Sequence, residues 1–146
     1  VMERVLLSEM SVLDVGTGSG ILSIVASKFG ASNVCATDIS DDAIASAKKN
    51  LALNDIDNVE LKQANLLTGV KGKYDLILAN MLAEILYQLI PHLSDHLARN
   101  GSVIMSGIDC EQLSRIEKLL SKNGFTVNLK IQEKRWFCIL VSQKSN

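Results

Sequence analysis

Four residues between positions 14 and 20 have the types and the spacing of a ligand-binding loop. Gly16, Gly18 and Gly20 alternate with small polar residues, and Asp14 stands two positions before the first glycine. Glycine adopts backbone conformations that a side chain forbids, so a ligand can approach the main chain closely there. A helix that starts behind such a loop adds free N–H groups and the positive end of its dipole. The pattern predicts a site for a nucleotide-like ligand.

The glycine spacing distinguishes this loop from a dinucleotide-binding fingerprint. That fingerprint is Gly-x-Gly-x-x-Gly, and its third glycine, counted from Gly16, would fall on Ile21. The run found here is Asp-x-Gly-x-Gly-x-Gly, which resembles the first motif of class I S-adenosylmethionine-dependent methyltransferases. An acid beside the loop also suits a ligand with an ammonium and a sulfonium better than one with a pyrophosphate. The resemblance implies S-adenosyl-L-methionine as cofactor. Its expected contacts in this loop are Asp14, Gly16, Thr17, Gly18 and Gly20.

The elements that must position this loop are strands that alternate with helices. An apolar strand at 11–15 leads into the loop, and the period then changes to that of a helix, as where a buried parallel strand is followed by a helix. Further strands are predicted at 33–38, 59–63, 74–79 and 102–108. The alternating runs 125–132 and 136–142 predict an antiparallel hairpin. We therefore expect an α/β, Rossmann-like fold of the class I methyltransferase kind. Its sheet should be seven-stranded and mostly parallel, with a C-terminal antiparallel hairpin and helices on both faces.

Further polar residues stand at the ends of predicted strands, where functional side chains of a parallel sheet gather. Asp38 lies 18 residues after Gly20, where α/β nucleotide sites place a carboxylate on the ribose hydroxyls. The alternative is that Asp38 only opens the turn before the next helix. Ile39 follows at a place where an apolar wall for the adenine is useful. Asn65 stands where related enzymes place an Asp that receives the adenine amine, and its carbonyl can accept that bond.

Asn80 is the candidate catalytic residue. It follows the apolar run 74–79, whose composition predicts a central strand. An amide carbonyl can accept hydrogen bonds from an amine and point the amine lone pair toward a methyl group, while solvent takes the proton. Asn80 is also expected to contact the cofactor. The alternative is that it caps the next helix, which is expected from about Leu82 to Ile90 before Pro91.

Local signals predict the ends and the buried faces of the helices. Ser40 is expected to cap the helix that follows it, and Gly30 and Gly124 are expected to end the helices before them. Residues 1–9 have the pattern of the last turns of an amphipathic helix. The helix after the glycine loop is expected to bury Ile21, Leu22, Val25, Ala26 and Phe29.

The cysteines and histidines do not have the placement of a metal or redox site. Cys35, Cys110 and Cys138 are scattered beside apolar runs, which favours buried free thiols. His92 and His96 are four residues apart, which is a metal-ligand spacing, but no third ligand stands near them in the sequence. We expect two surface histidines and no metal.

The overall composition limits the class of protein. The 146 residues suit one domain, with 47% hydrophobic and 21% charged residues. A net charge of −1 provides no basic field for a polyanion, which disfavours direct nucleic-acid binding. No apolar run reaches the ~18 residues of a membrane span. We expect a cytoplasmic, monomeric protein with no membrane partner.

A narrower resemblance is carried by short stretches along the chain. They are Asp-Val-Gly-Thr-Gly-Ser-Gly-Ile-Leu-Ser-Ile at 14–24, Asp-Ile at 38–39, Ala-Asn-Met-Leu-Ala at 79–83, Ser-Gly-Ile at 106–108 and the late Trp136. Together they resemble the bacterial methyltransferases of large-subunit ribosomal protein eleven (PrmA-like). The resemblance implies methylation of lysine side chains or the N-terminal amine of a ribosomal protein, with Asn80 as the active-site asparagine.

The same resemblance implies a domain organisation. Residues 1–146 are expected to form the catalytic domain, without the separate N-terminal recognition domain of the family. Two alternatives stay open at this point. One is a methyltransferase that acts on a small molecule or RNA, and the other is a non-catalytic fragment that binds the cofactor.

Overall fold

The computed structural model describes residues 1–6 and 8–144. Its strands are β1 (Ser11–Val15), β2 (Asn33–Asp38), β3 (Val59–Gln63), β4 (Tyr74–Asn80), β5 (Leu97–Asp109), β6 (Phe125–Glu133) and β7 (Trp136–Gln143). Its α-helices are α1 (Met2–Val5), α2 (Ile21–Lys28), α3 (Asp41–Leu53), α4 (Ala83–Leu89), α5 (Leu93–His96) and α6 (Cys110–Lys122). A 3₁₀ turn at Ile90–His92 joins α4 to α5. The strands form one sheet in the order β3-β2-β1-β4-β5-β7-β6.

The direction of the strands follows from how they are connected. The first five strands pair in parallel, as helical or long connections allow. Only two residues separate β6 from β7, so these strands pair antiparallel, and β7 also runs antiparallel to β5. β1 lies between β2 and β4, so the glycine loop is placed near the middle of the carboxyl edge of the sheet. The predicted α/β, Rossmann-like fold with its terminal hairpin is confirmed.

The core has two parts, one on each face of the sheet. In β1, Leu13 and Val15 belong to one cluster of buried residues and Val12 belongs to the other. This alternation follows from the two-residue period of a strand. Residues of α4 and α6 pack on the first face and residues of α2 pack on the second. The strands in the middle of the sheet are therefore covered on both sides, which is why they read as continuous apolar runs.

The face that α2 buries differs from the predicted one. Ile21 is 58% exposed and Phe29 is 45% exposed, so the prediction that both are buried is wrong. The buried residues of α2 are Ser23, Ile24 and Ala26. The helix is turned so that the Ser23 hydroxyl reaches the carboxylate of Asp14 at 2.6 Å. The spacing of apolar residues in the sequence could not predict this polar contact.

The predicted helix ends are confirmed except at the N-terminus. The Ser40 hydroxyl accepts a hydrogen bond from the Ala43 N–H at 3.3 Å, and Gly30 and Gly124 follow α2 and α6 with positive φ. The helix predicted for residues 1–9 is shorter, since α1 ends at Val5 and is followed by extended backbone; position 7 lies outside the described residues. Over the described ranges, no helix combines the length and the apolarity needed to cross a membrane.

The fifth strand starts earlier than predicted. It begins at Leu97 rather than at Ser102, and its pairing with β4 shifts register between the Tyr74 and Leu76 partners. The strand is irregular near Asn100, which has φ +65°.

The thiols and imidazoles differ in burial. Cys35 is buried as predicted, but Cys138 is half-buried and Cys110 is exposed, because it is the first residue of α6 at the edge of the sheet. His92 is exposed as predicted. His96 is half-buried, and its Nδ1 is sealed from solvent with no hydrogen-bond partner among the residues that the structure describes, so the prediction of a surface histidine is wrong there.

Candidate functional site

The buried carboxylate of Asp14 holds the glycine loop from the interior of the protein. Asp14 is 1% exposed, and its Oδ2 accepts hydrogen bonds from the Thr17 hydroxyl at 2.7 Å and the Ser23 hydroxyl at 2.6 Å. The Thr17 N–H donates to the Thr37 carbonyl at 2.8 Å, which ties the loop to β2. Burial raises the pKa of Asp14, and the hydroxyl bonds offset this only in part. The side chains of Asp14 and Thr17 therefore face the interior of the protein.

The three glycines of the loop have different surroundings. All have positive φ, between +56° and +83°, which glycine adopts without strain. A Cβ on Gly20 would lie 3.2 Å from the Ala47 Cβ, and a Cβ on Gly16 would lie 3.1 Å from the Met81 Cε. At Gly18 a Cβ would meet open space. Gly20 is thus required for the close approach of α2 to α3, and Gly16 keeps the backbone bare beside Met81.

Asp38 connects the loop to the end of β2. Its Oδ2 accepts the Gly18 N–H at 2.9 Å, and its Oδ1 accepts the Ser40 N–H at 3.0 Å. The second bond opens the turn before α3, as the alternative interpretation of this residue predicts. Each carboxylate oxygen can accept more than one hydrogen bond, so both retain capacity for ligand hydroxyls.

A cavity of about 410 Å³ lies beside the loop, within the size range of small-molecule sites, roughly 300–1,000 Å³. It is lined by Gly16, Asp38, Ile39, Ala64, Asn65, Leu66, Met81, Ile85 and Gln88. Four predicted site residues are therefore brought together on its wall: Gly16, Asp38, Ile39 and Asn65. The other five do not line it; these are Asp14, Thr17, Gly18, Gly20 and Asn80.

Sequence reasoning missed one side of this cavity. Ile85 and Gln88 are three residues apart on α4, which places them on one face of that helix, and Met81 precedes the helix. The signal was present in the sequence, since α4 begins at Ala83, three residues after the candidate residue Asn80. Leu66 was not foreseen either, and its φ of +52° belongs to the loop after β3.

Asn80 is exposed at the end of β4, next to the cavity residue Met81. The Met81 N–H donates to the Ser106 carbonyl at 3.2 Å, so the ends of β4 and β5 are joined. The N-cap of α4 is Leu82, and no side chain caps that helix. The alternative interpretation of Asn80 as a helix cap is therefore wrong.

Gly107 borders the Asn80 side chain from β5. It has φ +79°, and a Cβ there would lie 3.0 Å from the Asn80 Oδ1 and 3.1 Å from the Met81 carbonyl oxygen. Both contacts are tighter than ordinary van der Waals distances. The missing side chain at Gly107 thus makes room for the Asn80 amide.

The cavity fits an adenosyl ligand in size and in the chemistry of its wall. Ile39, Leu66 and Ile85 offer apolar surface for a flat ring, and Asp38 and Asn65 offer acceptors. The bare backbone at Gly16 allows close approach on the same side.

Comparison with known proteins identifies the family. Residues 1–144 match the family model described as Ribosomal protein L11 methyltransferase (PrmA). The chain belongs to this family. It is 58% identical over 145 residues to a Ribosomal protein L11 methyltransferase of Lactobacillus johnsonii, which covers 99% of this chain and 46% of that protein. The chain thus spans about half the length of the curated relatives it matches.

Solved structures agree with this assignment. A crystal structure of a ribosomal protein L11 methylase from Lactobacillus delbrueckii subsp. bulgaricus has 50% identity and a TM-score of 0.97, covering 99% of this chain and 75% of that one. A methyltransferase from Pyrococcus furiosus has 25% identity and a TM-score of 0.87, covering 99% and 80%. The family resemblance predicted from the sequence is confirmed.

The buried carboxylate of this family member gives a prediction about pH. Because burial raises the pKa of Asp14 above its ordinary value of 3.8, the folded state holds that proton more readily than the unfolded state. Its contribution to the free energy of unfolding therefore falls as pH rises from about 4 through the raised pKa. We expect the difference between wild type and Asp14→Asn to fall over that window in urea titrations. Asp57→Asn, which removes an exposed acid, controls for the lost charge. A difference that is flat or rises with pH would contradict the prediction.

The contact between Gly107 and Asn80 gives a second prediction. In Gly107→Ala, the new methyl group should displace the Asn80 amide and shift its side-chain NH₂ resonances in a ¹⁵N-correlated NMR spectrum. Gly124→Ala is the matched control, since Gly124 has φ +82° and open space around its Cβ position. Both variants should lose about 1–2 kcal/mol of stability from the left-handed conformation. Unmoved Asn80 resonances in Gly107→Ala would show that the two residues do not interact.

Proposed function

We propose that residues 1–146 are the catalytic domain of an S-adenosylmethionine-dependent methyltransferase that modifies amines of ribosomal protein L11. The observation that carries this proposal is the cavity beside the glycine loop, with Asp38 and Asn65 on its wall and the exposed Asn80 next to the lining residue Met81. The family of the chain supports the reaction class. The names of its relatives support L11 as the protein acceptor. The resemblance described in the sequence analysis implies that the methylated group is a lysine side chain or the N-terminal amine.

The residues that hold the cofactor come from the end of β2, the loop after β3 and the glycine loop. The Asp38 carboxylate binds the ribose hydroxyls, Ile39 packs on the adenine, and Asn65 accepts the adenine amine. Gly16, Gly18 and Gly20 present bare backbone to the remainder of the ligand. Asp14 and Thr17 act from beneath the loop and keep its N–H groups in place. S-adenosylmethionine, when bound, supplies a methyl group on a positively charged sulfur that an amine can attack.

Asn80 positions the amine for this attack. Its amide oxygen accepts hydrogen bonds from the N–H groups of a neutral amine, which directs the nitrogen lone pair away from the amide. Holding two reacting groups in alignment accounts for a large share of catalysis in bimolecular reactions. Solvent can take the released proton, because Asn80 is exposed.

The remaining predictions from the sequence belong to this proposal. The enzyme works in the cytoplasm as a monomer, and it recognises a protein rather than a nucleic acid. The net charge of −1 supports the last point, because nucleic-acid binding relies on positive charge. Two alternatives are tested against this proposal. One is methylation of a small molecule or RNA, and the other is cofactor binding without catalysis.

The cofactor site is tested by calorimetric titration with S-adenosylmethionine. Asp38→Ala should weaken binding by about tenfold to a hundredfold, because hydrogen bonds to a charged acceptor contribute about 1.5–3 kcal/mol. Asp42→Ala removes a neighbouring exposed acid from the first turn of α3 and should bind as wild type does. NAD should not bind to any of the three proteins. Equal affinity of the two variants, or tight binding of NAD, would overturn the cofactor assignment.

The role of Asn80 is tested by transfer of an isotope-labelled methyl group to purified L11. Asn80→Ala should lower the rate by about a hundredfold, as expected when a reacting group loses its alignment. Its affinity for S-adenosylmethionine should change much less than that. Asn54→Ala replaces an asparagine outside the cavity and serves as control. Mass spectrometry of L11 then locates the methyl groups, and label found only on RNA or on a small molecule would refute the protein acceptor.

A further inference from the structure

A second cavity adjoins the first one. It has a volume of about 340 Å³ and shares Asn65, Leu66 and Gln88 with the cofactor cavity. Its other walls are formed by Leu67, Thr68, Leu89, His92, Asp95 and His96. The two cavities thus meet at the residue assigned to the adenine amine, and the second cavity extends away from the glycine loop.

The polar groups of the second cavity are free to bind a ligand. The side chains of Thr68, His92 and Asp95 make no hydrogen bond to any residue that the structure describes, and the Nδ1 of His96 is buried without a partner. Asp95 carries the one carboxylate on this wall.

The position of Asn65 connects this cavity to the cofactor. If Asn65 accepts the adenine amine, as the proposed function states, then a substituent on that nitrogen points toward the second cavity. A closed adenine pocket would exclude such a substituent by steric overlap. Here the wall continues into open space lined by unpaired polar groups.

We infer that the second cavity is a subsite for a polar substituent on the adenine amino group. The ligand class is an N6-substituted S-adenosylmethionine whose substituent carries a hydrogen-bond donor or a positive charge. Asp95 is the residue that selects this charge. The inference rests on the proposed function, because it depends on where the adenine lies.

The experiment compares two substituents of similar size and opposite charge at pH 8. Calorimetric titrations use S-adenosylmethionine, its N6-(2-aminoethyl) analogue and its N6-(carboxymethyl) analogue. The aminoethyl analogue should bind within about fivefold of the parent compound. It should also bind about threefold to tenfold more tightly than the carboxymethyl analogue, as expected for attraction to a partly solvated carboxylate.

Two variants locate the effect in the second cavity. Asp95→Asn should abolish the preference for the aminoethyl group, whereas Asp42→Asn, the matched loss of an exposed acid, should retain it. Thr68→Phe places a large ring in the exposed mouth of the cavity and should weaken both analogues more than tenfold while the parent compound binds as before. Thr126→Phe, an exposed threonine on β6, controls for the added ring.

The outcomes separate this inference from the function on which it rests. If the parent compound does not bind, the proposed cofactor site is wrong. If the parent binds but both analogues lose more than about thirtyfold, the adenine amine does not face the second cavity and the inference is overturned. Equal binding of both analogues in wild type and in Asp95→Asn also overturns it, because the substituent then lies in water.

Discussion

The site depends on one buried carboxylate. Asp14 lies at the end of β1 and receives the hydroxyls of Thr17 from the loop and Ser23 from α2 on the same oxygen atom. A charge in the interior is costly, and donors close to it are what make the arrangement stable. A single residue thereby fixes β1, the glycine loop and α2 relative to one another. The apolar core could not define the loop in this way, because hydrophobic packing has no direction.

A second carboxylate extends this control to the neighbouring strand. Asp38 receives the N–H of Gly18 on one oxygen and that of Ser40 on the other. The tip of the glycine loop and the start of α3 are thus held by the side chain that also faces the cavity. A ligand that engages Asp38 would act on the loop geometry at the same time. Ligand binding and the order of the loop would then be coupled through the Asp38 carboxylate.

Strands β1 and β2 were predictable because burial on both faces leaves an apolar run, and the edge strand β3 was predictable from the alternation of its residues. β1, β2 and β3 have the bounds that the sequence predicts, and Asp38 and Asn65 lie on the cavity wall. The orientation of the Asp14 and Thr17 side chains was not predictable, because both contact the Ser23 hydroxyl. Those contacts form only when α2 packs against the sheet. For the same reason the exposed positions of Ile21 and Phe29 were assigned to the wrong face. The second cavity could not be foreseen, because its walls come from loops and helix ends far apart in sequence.

Whether Asp14, Thr17 and Asn80 touch the cofactor stays a prediction. The structure shows that Asn80 is free of the competing role of helix cap, and that Gly107 leaves space for its amide. Both facts concern the space around the Asn80 side chain and its lack of a capping role, not a contact with the cofactor. They explain why the exposed Asn80 lies at the end of β4 without capping the helix that follows.

The order of strands in space has a consequence for the order of events during synthesis. β7 lies between β5 and β6, although β6 precedes it in the chain. Until residues 136–143 have left the ribosome, β5 has an open edge and β6 has no strand to join. Such edges pair readily with other chains. The sheet is therefore completed only when β7 is made, and a nascent chain that pauses before Trp136 leaves the β5 edge open to pairing with other chains.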